Sequence, residues 1–168
     1  MRLLLLYAGF AILALAIETA VPHLVPIRAI VPNLIVILAV DLGLRHHGVP
    51  AALMAFAMGY ATDALSGAQF GSEAFMITLV YLASYEISLR LMVTSAAIGA
   101  MIVLLATPIT ALGALALSVG AAELGRIGPI LPWLVAQSVV SALVAPVVFA
   151  LLTRTKRLIG LPAHAARE

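Results

Sequence analysis

Residues 94–117 read TSAAIGAMIVLLATPITALGALAL, twenty-four consecutive positions without a charged side chain. A helix of that length rises about 36 Å, more than the roughly 30 Å hydrocarbon core of a bilayer. Ala96 to Ala106 shows almost no alternation of polar and apolar residues, which argues against a strand of a membrane β-barrel. Pro108, near the centre of the stretch, predicts a kink or a local unwinding.

Similar segments fill the rest of the chain. Of its 168 residues 64% are hydrophobic and 10% charged, and the mean hydropathy is +1.20. A soluble domain of this size could not bury so much apolar surface, whereas lipid accepts it on the outside as well as inside. Spans are expected at about 3–21, 27–44, 49–65, 72–89, 94–117 and 132–152. The expected fold is thus all-α: one integral membrane domain over 1–168, a polytopic bundle of six transmembrane helices.

Proline and glycine set the boundaries. Pro22 is expected to stop the first span. Pro32-Asn33 falls inside the second, so its first turn is broken or the helix starts late and is short. A start at Pro32 would give a rise of only about 18–20 Å. Pro50 fits the first turn of the third span, and Ser66 to Gly71 forms a tight turn before the fourth. Residues 120–131 read as the longest loop, with room for a short interfacial helix. Met1-Arg2 leads straight into an apolar run, and Glu18-Thr19-Ala20 fits a cleavage site badly, so no cleaved signal peptide is expected.

Charge placement sets the orientation. Arg2, Arg45, Arg90, Arg154, Lys156, Arg157 and Arg167 fall on one side of six spans, and only Arg28 and Arg126 on the other. By the positive-inside rule both termini are cytoplasmic. The net charge of +2 carries no clustered basic surface, so nucleic acid is not expected as a partner. The chain has no cysteine, which removes disulfides, thiolate nucleophiles and cysteine-ligated metals.

Ionisable groups near hydrocarbon are the informative ones, because each is costly unless paired or hydrated. Glu18, Asp63 and Glu73 are expected toward the outer face, Asp41 and Glu86 toward the cytoplasm. Asp41 with Arg45, and Glu86 with Arg90, have the four-residue spacing of helical ion pairs. Ser72 is a candidate cap for the fourth helix, with Glu73 in its first turn. Ala55, Gly59 and Asp63 form a small-residue stripe suited to close helix approach. Asp63 reads either as a residue that closes the following turn or as a contact residue. Thr78, Tyr81, Tyr85 and Ser88 form a second polar face, for internal hydrogen bonds or for a partner. Trp133 suits an interfacial anchor. His46 and His47 lack further ligands nearby, so neither a metal nor a cofactor is expected. There is no G-x-S-x-G, no glycine-rich phosphate loop and no histidine within a span, so no enzymatic activity is expected.

Pro32-Asn33-Leu34-Ile35-Val36, then Gly59-Tyr60-Ala61-Thr62-Asp63-Ala64-Leu65-Ser66 and Gly71, resembles the pattern of the rod shape-determining protein MreD family. Pro32, Asn33, Gly59, Asp63, Leu65, Ser66 and Gly71 carry the likeness, while the last two spans match in layout alone. The resemblance implies a noncatalytic inner-membrane subunit of the bacterial cell-elongation complex, the elongasome. That subunit would bind MreC and indirectly link MreB to the peptidoglycan synthase RodA and its penicillin-binding transpeptidase. It also implies a bundle similar to the substrate-binding subunits of energy-coupling-factor transporters, so a vitamin-like solute-binding subunit is the alternative. The outer loops are too short to build a standard interface by themselves. A transmembrane or juxtamembrane segment of MreC is therefore expected to dock on helix faces, first of all on Ala55-Gly59-Asp63.

Overall fold

The computed structural model describes residues 2–24, 31–67, 71–90, 95–119 and 127–160. Six helices run through them: α1 (Arg2–Leu24), α2 (Leu34–Arg45), α3 (Val49–Ser66), α4 (Ser72–Arg90), α5 (Ala96–Val119) and α6 (Ile127–Leu158). The chain is an all-α, polytopic membrane protein. By length and composition three of its helices can cross a bilayer, over Leu3–Ala20, Ala96–Leu117 and Ile130–Leu158.

The shortest helix is at the centre. α2 has 12 residues, and every side chain from Ile35 through Gly43 is buried. All five other helices touch it. A helix apolar on every side needs such surroundings. The others keep an apolar outer face: Leu53, Met101, Leu105, Leu143 and Val147 are all exposed, an arrangement that lipid tolerates and water penalises.

Several boundaries differ from expectation. The second span, expected over 27–44, is a helix over 34–45. Pro32 disfavours helical geometry at Val31, and the Asn33 side chain accepts from the Val36 amide at 3.0 Å, so the helix begins after Asn33. Residues 25–30 lie outside the described residues. α1 continues past Pro22 to Leu24. α6 starts at Ile127, five residues before Pro132, and takes in the end of the expected 120–131 loop. Residues 120–126 lie outside the described residues, and with them the expected interfacial helix up to that point. α5 is unbroken at Pro108; the Thr107 and Thr110 hydroxyls donate to the Val103 and Thr107 carbonyls around it, both at 2.8 Å.

The α3–α4 hairpin shows what the small-residue stripe does. A Cβ on Gly59 would lie 2.6 Å from the Ala74 Cα and 2.7 Å from the Glu73 carbonyl oxygen, so the α4 backbone itself rests on this glycine. Ala55 and Asp63 on the same stripe are fully buried. The stripe faces the protein's own interior.

Gly59→Leu is therefore expected to force α3 and α4 apart, and to cost at least the 1–3 kcal/mol of an overpacked core. A thermal melt of the purified protein in detergent checks this; an unchanged midpoint would mean that the two helices do not meet at Gly59.

Candidate functional site

Polar side chains collect at the two ends of the bundle. At the end carrying Arg45 and the 154–157 basic run, the centre is Asp41, which is 1% exposed. Arg45 Nε lies 2.6 Å from its Oδ1, and Lys156 Nζ 3.0 Å from its Oδ2. The Tyr7 hydroxyl donates to Oδ2 at 2.6 Å and accepts from Lys156 Nζ at 2.8 Å. Arg45 Nη1 donates to Thr153 Oγ1 at 3.2 Å. One carboxylate thus holds α1, α2 and α6 together.

The Asp41–Arg45 pair follows the expected spacing; the Lys156 and Tyr7 bonds are additions. Lys156 reads in the sequence as part of a basic anchor, yet it is fully buried. A signal for this is its register. Ala145, Phe149, Leu152 and Lys156 fall at intervals of four, three and four on one helical stripe, and all four are buried. Glu86 and Arg90, expected to pair, are exposed and form no ion pair with each other or with any described residue.

His46, just outside α2, is buried beside this cluster, its ring edge-on to Tyr7 at 5.9 Å. Burial pushes its pKa down to about 4, and Lys156 adds to the effect. The neighbouring His47 ring is 4.9 Å from Tyr85. Tyr81 donates weakly to the His46 and Gly48 carbonyls, at 3.4 and 3.3 Å. Thr78 and Ser88 donate to carbonyls of their own helix, at Ala74 and Tyr85. The Thr78-Tyr81-Tyr85-Ser88 face therefore closes on the α2–α3 turn and on α4 itself.

At the opposite end α2 stops short, and a cavity of about 480 Å³ lies beside its first turn. Glu18, Thr19, Asn33, Thr62, Ser66 and Gln137 give it polar walls. Glu18 Oε1 accepts from the Leu34 amide at 2.5 Å and the Ile35 amide at 3.3 Å, while Ser141 Oγ accepts from the Asn33 amide at 2.9 Å. With Asn33 these side chains satisfy donors that a helix start leaves open. Pro32, Asn33, Leu65 and Ser66 of the sequence motif all line this cavity. Asp63 and Gly71, from the same motif, stand at the adjacent turn. The Asp63 carboxylate accepts from the amides of Gly71, Glu73 and Ala74 at 2.9–3.1 Å and from Ser72 Oγ at 3.4 Å, taking the capping role expected of Ser72. Gly71 has φ of 99°, a region that favours glycine. Sequence reading missed Thr19, Gln137 and Ser141, which carry no local motif.

These arrangements fasten helix ends to one another. Ser138 and Ser141 donate to carbonyls of their own helix at 2.6 and 2.8 Å. Among the described residues no three His, Asp or Glu side chains are grouped to hold a metal ion.

Two outcomes are expected at the basic end. Asp41→Asn removes the charge that neutralises buried Lys156, and is expected to cost about 3–5 kcal/mol in detergent unfolding experiments. His46 is neutral in the folded state down to about pH 4, against 6.5 for an ordinary histidine. The unfolded chain thus takes up the proton first, so stability is expected to fall as pH drops from 6.5 toward 4. An NMR titration of the imidazole checks this; a midpoint near 6.5 would place His46 in water.

Comparison with known proteins agrees with the motif. The family model described as rod shape-determining protein MreD matches residues 1–155. Neither a search of curated proteins nor one of solved structures returns a match. With nearly its whole length covered by one family model, the chain belongs to the rod shape-determining protein MreD family.

Proposed function

We propose that this chain is the MreD subunit of a bacterial cell-elongation complex, where it binds MreC through the cavity end of the bundle. Members of the family are noncatalytic membrane subunits, and this chain is not an enzyme. In the proposed arrangement all six helices insert in the inner membrane with both termini cytoplasmic, and the fold is that of an energy-coupling-factor substrate-binding subunit. The Asp41 cluster then lies at the cytoplasmic face and the cavity opens toward the periplasm. Through MreC the subunit supports peptidoglycan synthesis, and is linked indirectly to MreB, RodA and the penicillin-binding transpeptidase.

The observation that carries the reading is the convergence of the motif on one cavity. Pro32, Asn33, Leu65 and Ser66 come from distant stretches of sequence and meet at the end that faces the periplasm in this orientation. A membrane-anchored periplasmic protein emerges from the bilayer on that side, so its juxtamembrane segment is at the right depth to enter. The Ala55-Gly59-Asp63 stripe is covered by α4, which moves the docking site from the helix face expected first to the cavity mouth. The solute-binding alternative rests on the cavity's size, which falls within the range of ligand pockets. Among the described residues, however, its walls offer a solute no aromatic ring.

Filling the cavity tests the reading. Thr19→Trp is expected to abolish co-purification of MreC from membranes and to leave the thermal midpoint of the isolated subunit nearly unchanged. Retention of MreC at the unaltered level would remove the cavity from the interface. Single cysteines test the orientation: an impermeant thiol reagent added outside is expected to label position 69 and spare positions 47 and 166, and labelling of 166 would reverse the topology.

A further inference from the structure

The seam between α1 and α6 differs from its neighbours. α5 and α6 meet so closely that a Cβ on Gly99 would lie 2.6 Å from the Phe149 ring, and α3 and α4 meet across Gly59. α1 and α6 are instead bridged at one end, by Lys156 Nζ and the Tyr7 hydroxyl at 2.8 Å with Asp41 between the helices. Toward the other end the seam widens into the cavity, with Leu15, Glu18 and Thr19 from α1 and Gln137 from α6 in its walls.

The other flank of the α5–α6 pair is also loosely filled. A groove of about 310 Å³ runs between α4 and α5, among Leu79, Ala83 and Ile87 on one side and Ile102, Leu105 and Ile109 on the other. The α5–α6 pair therefore has open space along part of each flank; at the cavity end α4 reaches α5 through the flexible side chain of Met76, which packs on Gly113. Its fastenings are unequal. At the basic end Lys156 of α6 makes a charge-assisted hydrogen bond to Asp41 of α2, and the Arg45 guanidinium of α2 donates to Thr153 of α6. At the cavity end, among the described residues, α6 is tied to the start of α2 by one neutral bond, from the Asn33 amide to Ser141 Oγ at 2.9 Å. Charge-assisted bonds are roughly twice as strong as neutral ones.

We propose that α5 and α6 rock as one body about the Asp41–Lys156–Tyr7 pin, widening and narrowing the cavity between α1 and α6 at the opposite end. Packed elements shift as rigid bodies about an interface in such transitions, and here the charged pin is the interface with the strongest bonds. A molecule that fits the wide or the narrow cavity selects that position, and by linkage anything that alters the pin changes the affinity at the cavity. This inference goes beyond the proposed role in elongation, because it depends on the seam and not on which molecule fills it.

The chain has no cysteine of its own, so spin labels attach only where cysteines are introduced. Two doubly labelled proteins are compared by pulsed EPR in nanodiscs, each as the isolated subunit: Thr19→Cys with Gln137→Cys across the cavity, and Leu5→Cys with Leu151→Cys near the pin. The expected result is a broad distance distribution across the cavity and a narrow one near the pin. Ser141→Ala is expected to shift the cavity distribution to longer distances without altering the pin pair. Lys156→Met, if it folds, is expected to broaden the pin pair as well. Equally narrow distributions at both ends, or a cavity distribution that Ser141→Ala leaves unchanged, would overturn the proposal. Because MreC is absent throughout, loss of MreC binding in the cavity variant and failure of this test are separate results.

Discussion

A backbone amide or a charge in hydrocarbon must find its partner inside the protein, and the central helix makes that constraint unusually demanding. At 12 residues α2 rises about 18 Å, well short of a bilayer core. Side chains from other helices close both of its ends. Its start is closed by Glu18 from α1, its own Asn33, and Ser141 from α6; near its end Asp41 is closed by Tyr7, Arg45 and Lys156. The two polar clusters described sit at the two ends of this helix, and the cavity lies beside its first turn.

The arrangement also explains why so many polar residues yield no catalytic set. A buried hydroxyl or carboxylate that fastens a helix end has its lone pairs or its proton committed to the backbone. Asp63 is the clearest case, with three amides and one hydroxyl directed at a single carboxylate. The serines and threonines of α5 and α6 donate mostly to the preceding turn, as hydroxyls in apolar helices commonly do. Beside these fastenings stand a cavity with polar walls and an apolar outer surface.

Much of this was legible in local sequence. Runs without charge locate the helices, Pro32-Asn33 signals a late start, Ser66 to Gly71 marks the turn, and the Asp41–Arg45 spacing gives an ion pair that does form. Distances along the chain hid the rest. Lys156 meets Asp41 across 115 positions and Ser141 meets Asn33 across 108, separations at which periodicity carries no information. The small-residue stripe on α3 signals close approach, but small residues do not name the helix that approaches, and here it is α4. Glu86 and Arg90 have the same spacing as Asp41 and Arg45 and make no pair, because both are exposed and nothing forces them together.

The burial of α2 has a consequence for biogenesis. A chain enters the membrane from its N-terminus, so α2 leaves the ribosome long before Ser141 and Lys156 are synthesised. Until then its Asp41 lacks the lysine and its first amides lack one of their three closing side chains, a costly state for a segment in lipid. A helix this short is thus a poor candidate for independent insertion, and its final seat exists only once α6 is in place. A helix made after the other five described thus completes the surroundings of the central one, so truncation within α6 reaches the centre of the protein rather than its edge.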